Sequence, residues 1–472
     1  MSHLDFEDFD DEAPDLRREE QRFAGMDTSA LLEAARAGEL SVDTMDELAT
    51  YLFDKSNFEE ALKFLDVLCE VAPYSSDVWE RRGMALNNLG RHADALEAFE
   101  QAQTMNPADS ELLINKGIAL DNLGRHDEAM DCFDIAAALD VDNDDALFSK
   151  AVTLEHLTRY DEAIPLFLDV LFRDPSHREA WYELGYCYDV TDRLADALEC
   201  YDRHLDMAPF NAGAWYNRGI VLNRLQRFRK ALDSYDLALA IQDDFASAWY
   251  NRGNTCAALH MHDEAVRCYE RTVELEPDDE LAWHNLGNVH EEAGRPQDAI
   301  RSYTRALEND PSHFESLFAR GCVYESLDEF DFALEDFKEA LRHAPDQSEI
   351  WYARADVEYN VGLTADAARS YAEVVRLDNA NAEAWLDYAD TLFHIGSYDD
   401  ALQAADRVLM LDPASEDALF LRARLLFILR RRTDGIDALH HLLRLAPDKR
   451  DEYARNFPFI RIHPSFRKYF RA

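Results

Sequence analysis

Three asparagines recur at a fixed interval in the middle of the chain. Asn217, Asn251 and Asn285 are separated by steps of 34 residues. A side-chain amide carries hydrogen-bond donors and an acceptor, so a row of amides can bind an extended peptide backbone whatever the side chains of the peptide. The spacing therefore predicts a polar binding surface in this part of the chain.

Aromatic residues accompany the asparagines. Tyr216, Tyr250 and His284 each stand directly before one of them, and Tyr182 holds the same position one interval earlier. A further asparagine follows three residues after two members of the series. The candidate binding residues are Tyr182, Tyr216, Asn217, Tyr250, Asn251, Asn254, His284, Asn285 and Asn288.

The sequence offers little for catalysis or metal binding. It has no Gly-rich phosphate loop, no H-E-x-x-H and no G-x-S-x-G motif. The segment HMHDE at His260–Glu264 falls in a predicted turn, and His290 lacks a second histidine at ligand spacing. The seven cysteines include no C-x-x-C pair, which argues against disulfides and zinc. We expect no enzyme activity, no catalytic residues, no cofactor and no metal.

The interval of 34 residues continues in both directions from the asparagines. Trp or Leu fills one position (Met45 once), Gly or Ala follows four residues later, and an alanine comes twelve residues after that. Proline closes most intervals. The alanine position is Ala61, Ala95, Ala129, Ala163, Ala197, Ala231, Ala265, Ala299, Ala333, Ala367 and Ala401, with Gly435 in the last interval.

This pattern resembles the tetratricopeptide repeat, with twelve units from Val42 to Lys449 and no insertion or deletion. The resemblance implies that each unit is two amphipathic helices, and that units stack because one pair cannot bury its apolar stripe alone. The implied fold is an all-α, right-handed superhelical solenoid with a concave groove lined by the first helices. The candidate residues would lie in that groove. Their asparagines are similar to those along the peptide groove of the O-GlcNAc transferase superhelix.

The two ends differ from the repeats. Residues 1–26 carry nine acids and three arginines, which is typical of a disordered acidic tail. Residues 27–41 predict an N-terminal capping helix, with Thr28 or Ser29 at the N-cap. Residues 42–449 hold the repeats, and residues 450–472 form a basic, aromatic segment. We expect that segment to cover the last helix through Phe457, Phe459, Ile460 and Phe466.

Charge limits the partners. The formal net charge is −47 at pH 7, which repels phosphate backbones and argues against nucleic acid. No apolar run is long enough to insert in a membrane, and the acidic N-terminus is unlike a signal peptide, so we expect a cytoplasmic protein. Acids begin most first helices but are absent at Gly213, Ser247 and Leu281. This break predicts a neutral groove centre with acidic flanks, suited to a peptide with basic ends.

We interpret the chain as a non-enzymatic protein–protein interaction scaffold or adaptor that binds extended peptides or partner proteins, as a monomer or weak homo-oligomer. Two alternatives stay open. One is a self-assembling structural scaffold that uses the basic C-terminal segment, and the other is a targeting or regulatory subunit of a separate enzyme. A chaperone-type carboxylate clamp is disfavoured because Tyr250, Glu315 and Ala319 occupy the places of its basic residues.

Overall fold

The computed structural model describes residues 27–141 and 143–470, so the acidic tail predicted for 1–26 lies outside the described residues. The described chain is built from α-helices and short 3-10 turns, without a strand. None of its helices combines the length and the apolar character needed to cross a bilayer.

The helices follow one another with short connections. In chain order they are α1 Thr28–Arg36, α2 Val42–Asp54, α3 Phe58–Val71, α4 Ser76–Asn88, α5 His92–Met105, α6 Ser110–Asn122, α7 His126–Leu139, α8 Asp144–His156, α9 Tyr160–Arg173, α10 Arg178–Val190, α11 Leu194–Met207, α12 Ala212–Arg224, α13 Phe228–Ile241, α14 Ala246–Ala258, α15 His262–Leu275, α16 Glu280–Glu292, α17 Pro296–Asn309, α18 Phe314–Ser326, α19 Phe330–His343, α20 Ser348–Asn360, α21 Thr364–Leu377, α22 Ala382–Ile395, α23 Tyr398–Leu411, α24 Glu416–Ile428, α25 Arg432–Leu445, α26 Arg450–Asn456 and α27 Arg467–Phe470. The 3-10 turns are Pro447–Lys449, Pro458–Arg461 and Pro464–Phe466.

The chain forms two compact units, Met1–Ile241 and Gln242–Ala472, here called unit 1 and unit 2. Unit 1 contains α1–α13, and unit 2 contains α14–α27. Within each unit a helix packs most closely against its neighbours in sequence, and the two helices of a pair make the strongest contact. The predicted all-α solenoid of tandem helix pairs is confirmed. The right-handed superhelix stays a prediction.

The small residue of the first helix packs against the aromatic ring of the second helix. A Cβ added at Gly219 would lie 2.5 Å from Cε1 of Tyr235, and one added at Gly287 would lie 2.4 Å from Cε1 of Tyr303. Both tyrosines are fully buried. At Gly219 and Gly287, glycine is therefore a packing requirement, because the ring in contact with it leaves no space for a side chain.

In the seven first helices that have tryptophan, the indole fixes the helix to the turn that precedes it. The indole Nε1 of Trp215 donates to the carbonyl of Pro209 at 2.9 Å, and that of Trp283 donates to the carbonyl of Pro277 at 2.9 Å. All seven tryptophans make this bond to the residue six positions earlier. The acceptor is a backbone carbonyl, which Asp243 and Asn379 supply in two repeats, so the bond gives a physical reason for the regular position of tryptophan but not for that of proline.

The first helix begins one residue earlier than the sequence suggests. Asp27 is the N-cap of α1, and its Oδ1 accepts from the backbone N–H groups of Ser29 at 3.0 Å and Ala30 at 3.4 Å. The expectation of Thr28 or Ser29 at the N-cap is wrong, because the Asp27 carboxylate already satisfies these N–H groups. The helix packs against α3, and its capping role stays a prediction.

The C-terminal segment packs on the last helix pair. Phe457, Ile460 and Phe466 are buried, and Phe459 is half-buried. The Phe466 ring stacks on His440 of α25, with centroids 4.2 Å apart. The predicted boundaries of the four segments stay predictions, but these contacts agree with a cover over α25.

Candidate functional site

The nine candidate residues lie on first helices, and all are half-buried. They form two groups, one in each unit. The unit 1 face is Tyr182 on α10 with Tyr216 and Asn217 on α12. The unit 2 face is Tyr250, Asn251 and Asn254 on α14 with His284, Asn285 and Asn288 on α16.

Each face contains a hydrogen-bonded Tyr–Asn pair. Asn217 Nδ2 donates to the Tyr182 hydroxyl at 3.0 Å, and Asn285 Nδ2 donates to the Tyr250 hydroxyl at 2.9 Å. Within the described residues, Oδ1 of Asn217 and Oδ1 of Asn285 accept no hydrogen bond. Each pair therefore presents an amide acceptor and a tyrosine O–H donor side by side.

The same two positions also join helix pairs elsewhere in the chain. Asn115 Nδ2 donates to Glu80 Oε1 at 3.0 Å in unit 1, and the Tyr352 hydroxyl donates to Asp387 Oδ2 at 2.5 Å in unit 2. These contacts span 35 residues, as the Tyr–Asn pairs do. Joining adjacent first helices is thus a structural role of the asparagine position. Sequence reasoning missed it, although the 35-residue spacing was visible.

The second asparagines in α14 and α16 bind buried tyrosines. The Tyr269 hydroxyl donates to Asn254 Oδ1 at 2.6 Å, and the Tyr303 hydroxyl donates to Asn288 Oδ1 at 2.7 Å. Asn285 Nδ2 also approaches Asn254 Oδ1 at 3.4 Å. The oxygens of Asn254 and Asn288 therefore satisfy the hydroxyls of the core, as buried polar groups require.

In most helix pairs, whether the buried aromatic residue of the second helix is Phe or Tyr depends on whether the residue fifteen positions earlier is apolar or polar. Tyr235 is an exception in unit 1, since Ile220 stands where Asn254 stands in unit 2. The Tyr235 hydroxyl is buried and makes no hydrogen bond within the described residues. Phenylalanines follow apolar residues in four pairs: Met84 and Phe99, Ile118 and Phe133, Val152 and Phe167, Cys322 and Phe337.

His284 is an uncharged member of the unit 2 face. Its Nδ1 lies 2.9 Å from Ser316 Oγ, and the same hydroxyl lies 2.8 Å from Nδ1 of His313. The pKa of His284 is lowered to about 4, mainly by burial and in part by the nearby His313. Sequence reasoning did not find His313 and Ser316, because they belong to the start of the next pair.

Carboxyl groups flank the unit 1 face. Glu155 on α8 and Glu183 on α10 are half-buried near Tyr182. Burial raises the pKa of Glu155 to about 8, with a further contribution from Glu183, and burial also raises the pKa of Glu183.

Acidic groups lie along unit 2 as well. Burial raises the pKa of Asp356 on α20 and of Asp387 on α22. Glu280 occupies the first turn of α16, one residue before Leu281. The predicted absence of acids at the start of three first helices therefore holds for the first turns of α12 and α14, and it is wrong for that of α16.

One group of metal-ligand side chains occurs within the described residues. It consists of His260, His262 and Glu292 in unit 2, and it does not include any residue of the unit 2 face.

Comparison with solved structures gives matches that cover about a third of this chain. A structure of YrrB, described as a TPR protein with an unusual peptide-binding site, has 22% identity and a TM-score of 0.36, and the match covers 38% of this chain and 93% of that chain. One structure of MamA has 25% identity and a TM-score of 0.34, covering 34% of this chain and 94% of that chain. Another has 24% identity and a TM-score of 0.35, covering 36% and 92%. No curated protein matches the chain.

Family models assign the repeats directly. One tetratricopeptide repeat model matches six stretches: five overlap and together span 47–248, and the sixth is 352–418. Together they cover more than half of the chain. Two further tetratricopeptide repeat models match 244–312 and 314–347. The chain therefore belongs to the tetratricopeptide repeat family.

Proposed function

We propose that the protein is an interaction scaffold whose two faces bind extended, uncharged peptide segments of partner proteins. The observation that carries this proposal is the Tyr–Asn pair, formed by Tyr182 and Asn217 in unit 1 and by Tyr250 and Asn285 in unit 2.

The pair complements a peptide backbone. A peptide N–H can donate to the amide Oδ1 of Asn285, and a peptide carbonyl can accept from the Tyr250 hydroxyl. The asparagine N–H that joins the two helices also holds its amide in one orientation. Because the donor and the acceptor are already in place, little side-chain entropy is lost when the peptide binds.

The faces favour a neutral peptide centre. The candidate residues are tyrosine, asparagine and histidine, and the low pKa of His284 keeps it uncharged at neutral pH. A charged side chain placed against half-buried, neutral groups would lose hydration without gaining a partner. Neutral polar or aromatic peptide residues avoid that cost.

The flanking carboxyls favour basic peptide ends. Glu155 and Glu183 in unit 1, and Asp356 and Asp387 in unit 2, have pKa values raised by burial. A lysine or arginine near them would stabilise the ionised form and lower these pKa values. At neutral pH, binding would then release a proton from Glu155, whose pKa is raised to about 8, and it would weaken with added salt.

A displayed library of random peptides tests this function. The full chain is the bait, in parallel with the variant Tyr250→Phe/Asn285→Ala and the control Asn115→Ala. Asn115 occupies the same position of its repeat and also joins two first helices, through Glu80. Circular dichroism first establishes that all three proteins are equally folded.

We expect peptides with an uncharged centre and Lys or Arg toward their ends. Peptides that bind unit 2 should lose at least about tenfold in affinity in the double variant, which is about 1.4 kcal/mol, and none in the control. Selection of acidic peptides, or equal binding by all three proteins, would contradict the proposal.

Self-assembly through the C-terminal segment would rest mainly on its charges. Phe457, Ile460 and Phe466 are already buried within unit 2, which leaves Ile462 and bases such as Arg461 and Lys468 at the surface. Light scattering over a range of salt concentrations tests this alternative. A mass that falls to that of one chain as salt rises would support it, and a monomer at every salt concentration would exclude it.

A further inference from the structure

A second site lies at a turn in unit 2. His260 follows α14 in the turn, His262 is the first residue of α15, and Glu292 is the last residue of α16. One ligand atom from each side chain lies within 4.8 Å of the other two. We propose that these three side chains form a binding site for a divalent transition-metal ion, with Zn²⁺ as the expected ion.

The repeats supply an internal comparison for His262. His92 and His126 hold the same position in their own repeats. Nδ1 of His92 pairs with Asn87 Oδ1 at 2.6 Å, and Nδ1 of His126 pairs with Asp121 Oδ1 at 2.7 Å. In both cases the acceptor stands five residues earlier, on the first helix of the same repeat.

That acceptor is missing at His262, because the residue five positions earlier is Ala257. Nδ1 of His262 is buried and makes no hydrogen bond within the described chain, and Glu292 Oε2 lies 3.5 Å away. A buried imidazole nitrogen without any hydrogen-bond partner is costly, and in the tautomer that leaves Nδ1 unprotonated its lone pair is free to bind a metal ion. A metal ion bound between His262 and Glu292 would use that lone pair.

The second histidine lies in the turn between α14 and α15. His260 has φ of 55°, in the left-handed region, where five other repeats have glycine and six have another non-glycine residue. A histidine there costs conformational energy that glycine avoids. The position brings its ring to 6.0 Å from the ring of His262, measured between centroids.

The ligand set and the surrounding charge suit Zn²⁺. Two imidazoles and one carboxylate form a known three-ligand zinc set, with water completing the coordination. Ligand atoms on one tetrahedral Zn²⁺ are about 3.4 Å apart, so small side-chain rotations of the exposed His260 and Glu292 would close the site. The C-terminal ends of α14 and α16 carry partial negative charge toward this turn, which opposes the partial positive charge at the N-terminal end of α15. The nearby Arg295 is paired with Asp263 at 2.7 Å.

The site would join two repeats, since both histidines belong to one repeat and Glu292 to the next. Bound metal should therefore raise the thermal unfolding midpoint of the full chain, because an ion that binds only the folded state stabilises it. This effect gives a readout that is independent of peptide binding.

Zn²⁺ titration of the metal-stripped full chain tests the proposal, in buffer with excess Mg²⁺ to occupy surface carboxylates. The variants are His262→Ala and Glu292→Gln, and the control is His126→Ala. The control removes a histidine from the same repeat position, where Asp121 already pairs with it. Co²⁺ absorption spectra report the coordination geometry.

We expect one Zn²⁺ per chain, at least about tenfold weaker binding in each variant, and unchanged binding in His126→Ala. Zn²⁺ should raise the unfolding midpoint of the wild type and of His126→Ala, but not that of His262→Ala. Equal affinity in wild type and both variants, or loss of binding in His126→Ala alone, would overturn the proposal. So would the absence of saturable binding.

Discussion

The hydroxyl of Tyr235 provides a sharp test of the packing scheme. Tyr235→Phe removes one buried oxygen that makes no hydrogen bond within the described residues, and it leaves the ring on Gly219 in place. A buried, unsatisfied polar group costs about 1–3 kcal/mol. We therefore expect the substitution to stabilise unit 1 by about 1 kcal/mol.

The same substitution in unit 2 should have the opposite sign. Tyr269→Phe removes a hydroxyl that donates to Asn254 Oδ1 at 2.6 Å. Loss of such a bond costs about 1 kcal/mol, so the two substitutions should differ by about 2 kcal/mol although each deletes the same atom.

Urea unfolding of the full chain, followed by far-ultraviolet circular dichroism, measures both effects. Wild type, Tyr235→Phe and Tyr269→Phe are compared by their transition midpoints at equal slope, since an altered slope would indicate a changed unfolding mechanism. The midpoint should rise for Tyr235→Phe and fall for Tyr269→Phe. Equal destabilisation in both would show that the Tyr235 hydroxyl is hydrogen-bonded in solution, and it would refute the reasoning.

Two further substitutions test other parts of the structure. His284 has its folded-state pKa lowered from 6.5 to about 4, so the unfolded chain binds the extra proton and stability falls as the pH drops from about 6.5 toward 4. Between pH 7 and pH 5, the free energy of unfolding should fall by about 2 kcal/mol more for wild type than for His284→Phe. Urea unfolding at each pH measures this difference. Equal decreases in the two proteins would show that His284 does not titrate in this way. Phe466→Ala removes a fully buried ring stacked on His440 and should cost about 3 kcal/mol, with faster hydrogen exchange in α25. Unchanged exchange in α25 would show that the C-terminal segment does not stabilise the last repeat.

The helix pairs could be predicted from the sequence because the packing rule is local and repeated. Each small residue and each aromatic residue recurs at a fixed position, and Gly219 with Tyr235 shows the contact behind that pattern. The candidate faces could be placed on the first helices for the same reason. Within each face, the hydrogen-bond partner of a side chain belongs to a neighbouring helix. The sequence of one repeat unit does not show which residue of that helix it is.

Asn254 and Asn288 illustrate that limit. Both hold a predicted groove position, yet their oxygens accept from Tyr269 and Tyr303 of the second helices. The sequence contained a usable signal, since apolar residues take this position in four repeats with phenylalanine. Sequence reasoning considered His260 and His262 and did not predict a metal site, for a related reason. His260 and His262 lie in one segment, but Glu292 comes from the next repeat, so no local motif contains all three.

The central claim is that the Tyr–Asn pairs bind a peptide backbone. The most direct test is a crystal structure of the full chain with a peptide selected by display. We expect a peptide N–H within hydrogen-bond distance of Asn285 Oδ1 and a peptide carbonyl accepting from the Tyr250 hydroxyl, or the equivalent contacts at Asn217 and Tyr182. A peptide bound on the second helices or on the C-terminal segment, with both pairs unoccupied, would contradict the account.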